Sequence, residues 1–369
     1  MIENYETLSI ESKIGQLFMI GIPGPELDTQ TSELLDEVSP GGICLFARNI
    51  RDLRQVRELT DALGNFLPVQ PIIAIDQEGG LVDRLRRVLS PMPAADRIGS
   101  TQEAASLATV IAEALLMIGV NMDFAPVVDV IEAGRKGSMN GLTSRTFGST
   151  KEETAELAGA FLKTLQANGI LGCLKHFPGL GASTVDSHEE LPLVSISQEE
   201  LYSMDLHPYQ QLIASGEVHA VMIGHAAYPS TPLQETDQNG RLLPSSLSPN
   251  FVKGLLRDEI GFDGLVVSDD LEMGAIIKNH GIGDACVRAF GAGIDMLAIC
   301  ADPAAIREGY NAVLRSVKDG HIDDGRIEAS LVRISAFKSL LTEPQPFMLG
   351  RISELAAKIS DLSAVVSNR

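Results

Sequence analysis

The chain is short of positive charge. Lys and Arg total 29 against 49 Asp and Glu, a formal net charge of -20. Nucleic acid and anionic membrane surfaces are excluded as partners on this ground, because both are bound through clustered Lys and Arg. One basic run exists, Arg84, Arg86 and Arg87. By itself it leaves a solvated loop and a binding role equally open. Paired cysteines are also missing. Cys44, Cys173, Cys286 and Cys300 are scattered with no C-x-x-C, and three of them sit in the apolar runs ICLF, GCLKHF and LAIC. They read as buried free thiols in a reducing compartment. No stretch approaches the roughly 18 apolar residues of a membrane span. The first residues, MIENYETLSIESKIGQLF, carry acids and lack the apolar core of a signal peptide, so a cytoplasmic protein is expected. A dinucleotide fingerprint is absent too: Gly21-Ile-Pro-Gly24 stands where a G-x-G-x-x-G would follow the first strand.

What is present is a rhythm. Short apolar runs recur at Gly15–Ile22, Gly42–Phe46, Pro71–Asp76, Asn121–Val130, Gly169–Phe177, His219–His225, Gly264–Leu271 and Gly293–Ile299. Near-continuous apolar strands, buried on both faces, are what a parallel sheet requires. Between them Arg51–Leu67, Thr101–Ile118, Lys151–Asn168, Gln198–Ser215 and Ser248–Glu259 carry apolar residues at three- and four-residue spacing, several behind a capping Ser or Thr. Pro303–Leu341 and Ile352–Val365 also read as helical and are expected to close an outer ring. The predicted fold is α/β: a (β/α)8 TIM barrel, one domain over residues 1–369 with a core of about 10–340 and C-terminal helices. A doubly wound open sheet is the structural alternative.

In a parallel barrel, sites gather where strands end. Polar residues close the apolar runs at Asp76, Asp129, Lys175-His176, His225 and Ser268-Asp269-Asp270, with Asp295 placed in strand eight. A single charge there can be a first solvated position or a cap, and Asp270 reads as such a cap. Six on one rim read as a site. A retaining glycosidase needs a carboxylate nucleophile and an acid/base on opposite faces of the anomeric carbon. Asp269, at the end of a buried strand, suits the first role. The loop 178–191 holds Asp186 and His188, whose i, i+2 spacing in an extended loop would let the carboxylate orient the imidazole. A loop histidine capped by an aspartate is the plain alternative. His176, His188 and His225 fit no zinc spacing, and neither a metal nor a cofactor is expected.

The segment Lys175–His188, KHFPGLG-ASTV-DSH, resembles the signature of glycoside hydrolase family 3 β-N-acetylglucosaminidases. Gly41–Asn49 (GGICLFARN), Asp76-Gln-Glu-Gly-Gly80, Asn121–Val130, Ser144–Phe147 (SRTF) and Ser268–Met273 (SDDLEM) fall in the same order, so the resemblance covers about residues 10–340. It implies a TIM barrel and a two-step retaining mechanism, with Asp269 as nucleophile, His188 as acid/base and Asp186 as its partner. Asp76, Arg84, Arg145, Lys175 and His176 match the positions that grip N-acetylglucosamine. Gly179, Gly181 and Ala182 are expected to let the histidine loop swing. Leu180 stands where many members have His, and Arg135–Ser144 departs from the usual Asn-Pro-x-Ile-Gly-x-Arg-Ser-Phe form. With no second barrel-following domain in the sequence, the hexosaminidase branch is favoured over the β-glucosidases. The resemblance therefore implies an exo-β-N-acetylglucosaminidase acting on small β-GlcNAc glycans such as muropeptides of cell-wall recycling; a monomer is expected. A β-glucosidase-like exo-glycosidase, a GlcNAc phosphorylase and a non-catalytic sugar-binding barrel remain as alternatives.

Overall fold

The computed structural model describes residues 5–135, 141–187 and 189–367. Eight parallel strands form the predicted barrel: β1 (Phe18–Gly21), β2 (Gly42–Leu45), β3 (Ile72–Ile75), β4 (Met122–Asp123), β5 (Leu171–Gly172 continued by Leu174–Phe177), β6 (Ala220–Ile223), β7 (Leu265–Ser268) and β8 (Leu297–Ile299). Each falls inside one of the apolar runs. Every residue of β1, β2 and β3 is buried, as strands covered by side chains inside and helices outside must be.

Two sheets make up the barrel. One runs β8-β1-β2-β3-β4 and ends on the first half of β5; the other runs β7-β6 and the second half of β5. The ring closes where Phe18 pairs with Leu297 and where a single bridge joins Val267 to Met296.

Helices wrap this core. Leu53–Phe66 buries Leu53, Val56, Leu59, Thr60 and Leu63, residues related by three- and four-residue spacings, so one stripe faces the strands. Truncating a fully buried member such as Leu63 to Ala costs roughly 2–5 kcal/mol. Starts are set by side-chain caps: Ser100 accepts from Glu103 N, Thr150 from Glu153 N and Ser197 from Glu200 N, each contributing about 1 kcal/mol. The segment after β5 is less regular than its periodicity suggests, with a π turn over Leu201–Asp205 ahead of the helix His207–Ala214.

The stretch expected as one helix from Pro303 to Leu341 is two, Pro303–Lys318 and Asp324–Lys338. Gly320 at φ 75° makes the break, and Asp323 caps the second helix by accepting from Arg326 N at 2.9 Å. The last helix, Gly350–Ser367, lies on Thr101–Met117 through buried Leu355, Ile359, Leu362 and Val366, with Lys358 paired to Glu113 at 2.6 Å. Among the described residues no helix is long and apolar enough to cross a membrane.

Candidate active site

The C-terminal ends of the strands carry a dense set of charges. Asp76 is the first residue after β3. Its Oδ1 accepts from Lys175 Nζ at 2.7 Å and its Oδ2 from Arg84 Nη2 at 3.4 Å. Burial opposes ionisation of Asp76, but Lys175, Arg84 and Arg145 outweigh it and hold the carboxyl well below the usual carboxylate range.

The chain then folds back as a hairpin, Gln77–Gly79 against Val82–Asp83. Gly79 and Gly80, at φ 87° and 57°, make the turn. This fold-back aims Glu78 inward. Its carboxylate accepts from Arg145 Nε and Nη2 at 2.8 and 2.9 Å and pairs with Lys175 Nζ at 2.6 Å. Burial raises Glu78, yet Lys175 and Arg145 bring it down to about 2. Gln77 Nε2 donates to Asp83, while Gln77 Oε1 accepts from the backbone of Arg84 and Leu85. Those bonds direct Arg84 to the rim. Arg86 and Arg87, by contrast, are exposed.

Strand β5 supplies two adjacent side chains. Its register shifts between Leu174 and Phe177, and such an irregularity re-aims side chains that would otherwise alternate. Lys175 is 1% exposed. Burial alone pulls its ammonium down, but Asp76 and Glu78 raise it above the ordinary lysine value. His176 Nδ1 meets Asp129 Oδ2 at 2.7 Å, and its Nε2 lies 3.4 Å from Arg145 Nη2. A carboxylate only accepts, so Nδ1 carries the proton.

From β7 comes Asp269, directly after Ser268. Its backbone N donates to Ile223 O at 2.9 Å and its Oδ1 accepts from Asp270 N at 2.8 Å. Burial, reinforced by Glu272 and Asp269, pushes Asp270 up to about 7. Asp270 does cap, but a turn rather than a helix: its Oδ1 accepts from Glu272 N and Cys300 N. His225 is buried beneath, with Nδ1 2.7 Å from Ser246 Oγ and Nε2 donating to Asp270 O at 3.0 Å.

Asp76, Arg84, Arg145, Lys175, His176, Asp186 and Asp269 all line one cavity of about 260 Å³, with Phe46, Val82, Leu142, Met222 and Met273 as its apolar walls. His188 lies outside the described residues. At Asp186 the backbone turns rather than staying extended: Glu189 N and Glu190 N both donate to Asp186 O. A larger polar cleft of about 640 Å³ lies between the first turns of the helices at 101 and 151 and contains none of these residues. Among the described residues, no group of three or more His, Cys, Asp and Glu is placed to hold a metal.

Two further expectations change. Asp295 does not join the rim. It precedes β8, at the barrel's other end, where Val266 N, Ser330 Oγ, Arg257 Nη2 and Arg333 Nη1 all donate to it. The loop glycines also differ from a hinge. A Cβ on Gly181 would sit 2.0 Å from Val130 O, and one on Gly179, at φ 129°, would sit 2.7 Å from Asp205 Cβ. They are small because the loop base is tightly packed. Glu78 was not singled out by the sequence. The Gly79-Gly80 pair, a hairpin signal directly after a strand, is what could have found it.

The glycosyl hydrolase family 3 N-terminal domain matches residues 9–337. The chain is 33% identical over 309 residues to a β-hexosaminidase of Psychromonas ingrahamii, covering 81% of this chain and 86% of the relative. It is 35% identical over 304 residues to a β-hexosaminidase of Pseudomonas aeruginosa, covering 80% and 86%. Among solved structures, a family 3 β-N-acetylglucosaminidase from a Paenibacillus species superposes with a TM-score of 0.86 at 33% identity, over 97% of this chain and 69% of that one. A family 3 glycosyl hydrolase from Mycobacterium smegmatis gives 0.79 at 31% identity, over 93% and 100%.

Proposed function

The chain belongs to glycosyl hydrolase family 3, and on that footing we propose that it is a β-N-acetylhexosaminidase acting as a retaining exo-β-N-acetylglucosaminidase. The observation that carries this reading is the convergence of Asp76, Arg84, Arg145, Lys175 and His176 with Asp269 on one cavity. At about 260 Å³ that cavity is below the roughly 300–1,000 Å³ of drug-sized pockets. It suits one sugar residue at a chain end rather than the middle of a polymer.

The chemistry follows from the groups. Asp76 is ionised on the cavity wall, and Lys175, Arg84 and Arg145 are cationic beside it, so the wall offers acceptors and donors together. Sugar hydroxyls need both. Held there, the anomeric carbon faces Asp269. The Asp269 carboxylate attacks it and forms a glycosyl ester while the leaving oxygen takes a proton from His188, oriented by Asp186. Water then attacks the same carbon, giving its proton back to His188 and freeing Asp269, with net retention. The substrates we assign are small β-GlcNAc glycosides, peptidoglycan-derived muropeptides among them, met in the cytoplasm by a monomer. The four buried free cysteines accord with a reducing compartment.

Comparing rates on aryl β-GlcNAc and aryl β-glucoside tests the sugar preference; a faster glucoside would overturn it. Product analysis with and without phosphate tests the acceptor. Free GlcNAc in both supports hydrolysis, and GlcNAc-1-phosphate as main product would make the enzyme a phosphorylase.

A further inference from the structure

We propose that Asp129 is a positioning residue that ties the sugar-contact side chain His176 to the loop carrying Asp186 and His188, so that grip and proton transfer are held by one carboxylate. The inference rests on the functional reading above. Asp129 is fully buried and is not among the residues lining the cavity, so it acts through others.

Its placement comes from the strand ladder. After β4 the chain runs on beside β5, with Val127 bridged to Lys175 and Val128 N donating to Lys175 O at 2.8 Å. Asp129 follows at once. Its Oδ2 meets His176 Nδ1 at 2.7 Å and its Oδ1 accepts from Leu180 N at 2.6 Å. One oxygen therefore sets the imidazole, whose other nitrogen faces Arg145. The other oxygen fixes the backbone at the base of the loop 178–191.

That base is held from three more sides. Tyr228 Oη donates to Gly179 O at 2.8 Å. Asp205 closes over Gly179, and Val130 O leaves no room beside Gly181. Any swing of the loop thus starts beyond Gly181, from an anchor that Asp129 shares with His176.

The residue type matters. Both partners are donors, and only a carboxylate accepts from two donors through two oxygens. An amide presents one oxygen and one NH2, and the NH2 would face a donor. Asp129→Asn therefore keeps size and shape while breaking one of the two links.

The test compares wild type and D129N on two β-GlcNAc substrates, a 2,4-dinitrophenyl glycoside and a methyl glycoside. A dinitrophenolate leaves without a proton and a methoxide does not, so only the second needs the acid. For D129N, kcat/KM on the methyl glycoside, which reports formation of the glycosyl ester and not its hydrolysis, should fall by about 10²-fold or more, in the range of general acid catalysis. On the dinitrophenyl glycoside kcat/KM should fall less than about tenfold, through the loosened grip alone. Equal losses on both substrates, or no loss on either, overturn the inference. If D129N does not fold, Y228F removes the other loop-base bond without touching His176. A leaving-group-dependent fall in kcat/KM then supports the coupling, and identical ratios overturn it. Wild type inert on both substrates overturns the functional reading, and this inference with it. Wild-type turnover with D129N unchanged overturns this inference alone.

Discussion

Two clusters of buried charge sit at opposite ends of the same barrel. At the C-terminal rim, Asp76 and Glu78 share Lys175, and Arg84 and Arg145 close the group. At the other end one carboxylate, Asp295, gathers Arg257, Arg333 and Arg326 at 2.6, 3.3 and 3.6 Å. The ingredients match, but the surroundings do not. Asp295 is fully buried and also accepts from Ser330 Oγ and Val266 N, so both its oxygens are spent inside the protein. At the rim, Asp76, Arg84, Arg145 and Lys175 line a cavity. Buried charge is therefore not the mark of a site; buried charge with capacity left for a ligand is.

The contrast can be broken at its strongest point first. Asp269→Ala should lower kcat on an aryl β-GlcNAc by on the order of 10⁴-fold with the melting temperature nearly unchanged. Full turnover in that variant would end the proposed mechanism. Asp295→Asn should do the converse. It leaves three arginines around a neutral amide, and losing one partner of a buried pair costs about 3–5 kcal/mol. Denaturant unfolding should show that loss, while kcat well below the melting temperature stays at the wild-type value.

Glu78→Gln should fall between these. Losing charge-assisted bonds to Arg145 and Lys175, at about 1.5–3 kcal/mol, should lower kcat/KM by roughly tenfold to a hundredfold, mainly through KM. It has a pH signature as well. Glu78 sits at about 2 when folded against an ordinary 4.5. Between those values the unfolded chain binds more protons, so stability rises with pH. The contribution is complete above pH 4.5 and is lost as pH falls toward 2. Acid titration of the variant should show a shallower loss over that window. Least affected should be Thr150→Ala, a helix cap on the rim side that does not line the cavity. About 1 kcal/mol of stability should go, with kinetics unchanged.

Most of the barrel was legible because its signals are local. Parallel strands read as apolar runs, and Ser or Thr before a periodic segment reads as a helix start. What failed was placement along a strand. Asp295 belongs to an apolar run, but the run does not say which end of β8 it occupies. Only the pairing of Phe18 with Leu297 does. Glu78 was hidden for a related reason. It follows a strand, where a helix or open loop is the usual continuation, and it reaches Lys175 and Arg145 only because the chain doubles back at Gly79-Gly80. The seven expected positions that line the cavity were readable as strand ends and motif matches. The loop base was misjudged because small residues serve hinges and tight packing alike, and only the neighbours Asp205 and Val130 distinguish the two.

The barrel is a cask made of two unequal sets of staves. One seam lies at β5, crossed by the bridge of Val127 to Lys175; the other lies between β7 and β8, crossed by the Val267–Met296 bridge with Met296 N donating to Val266 O and Ser268 N to Met296 O. Lys175, His176 and Asp269 ride on the small set, while Asp76 and the hairpin bearing Glu78 ride on the large one. A sugar held as proposed lies across a seam and works as a rivet. Binding should then tighten the whole vessel, raising its melting temperature in step with occupancy. Substitutions along the seams, far from any sugar atom, should loosen the grip by letting the staves spread.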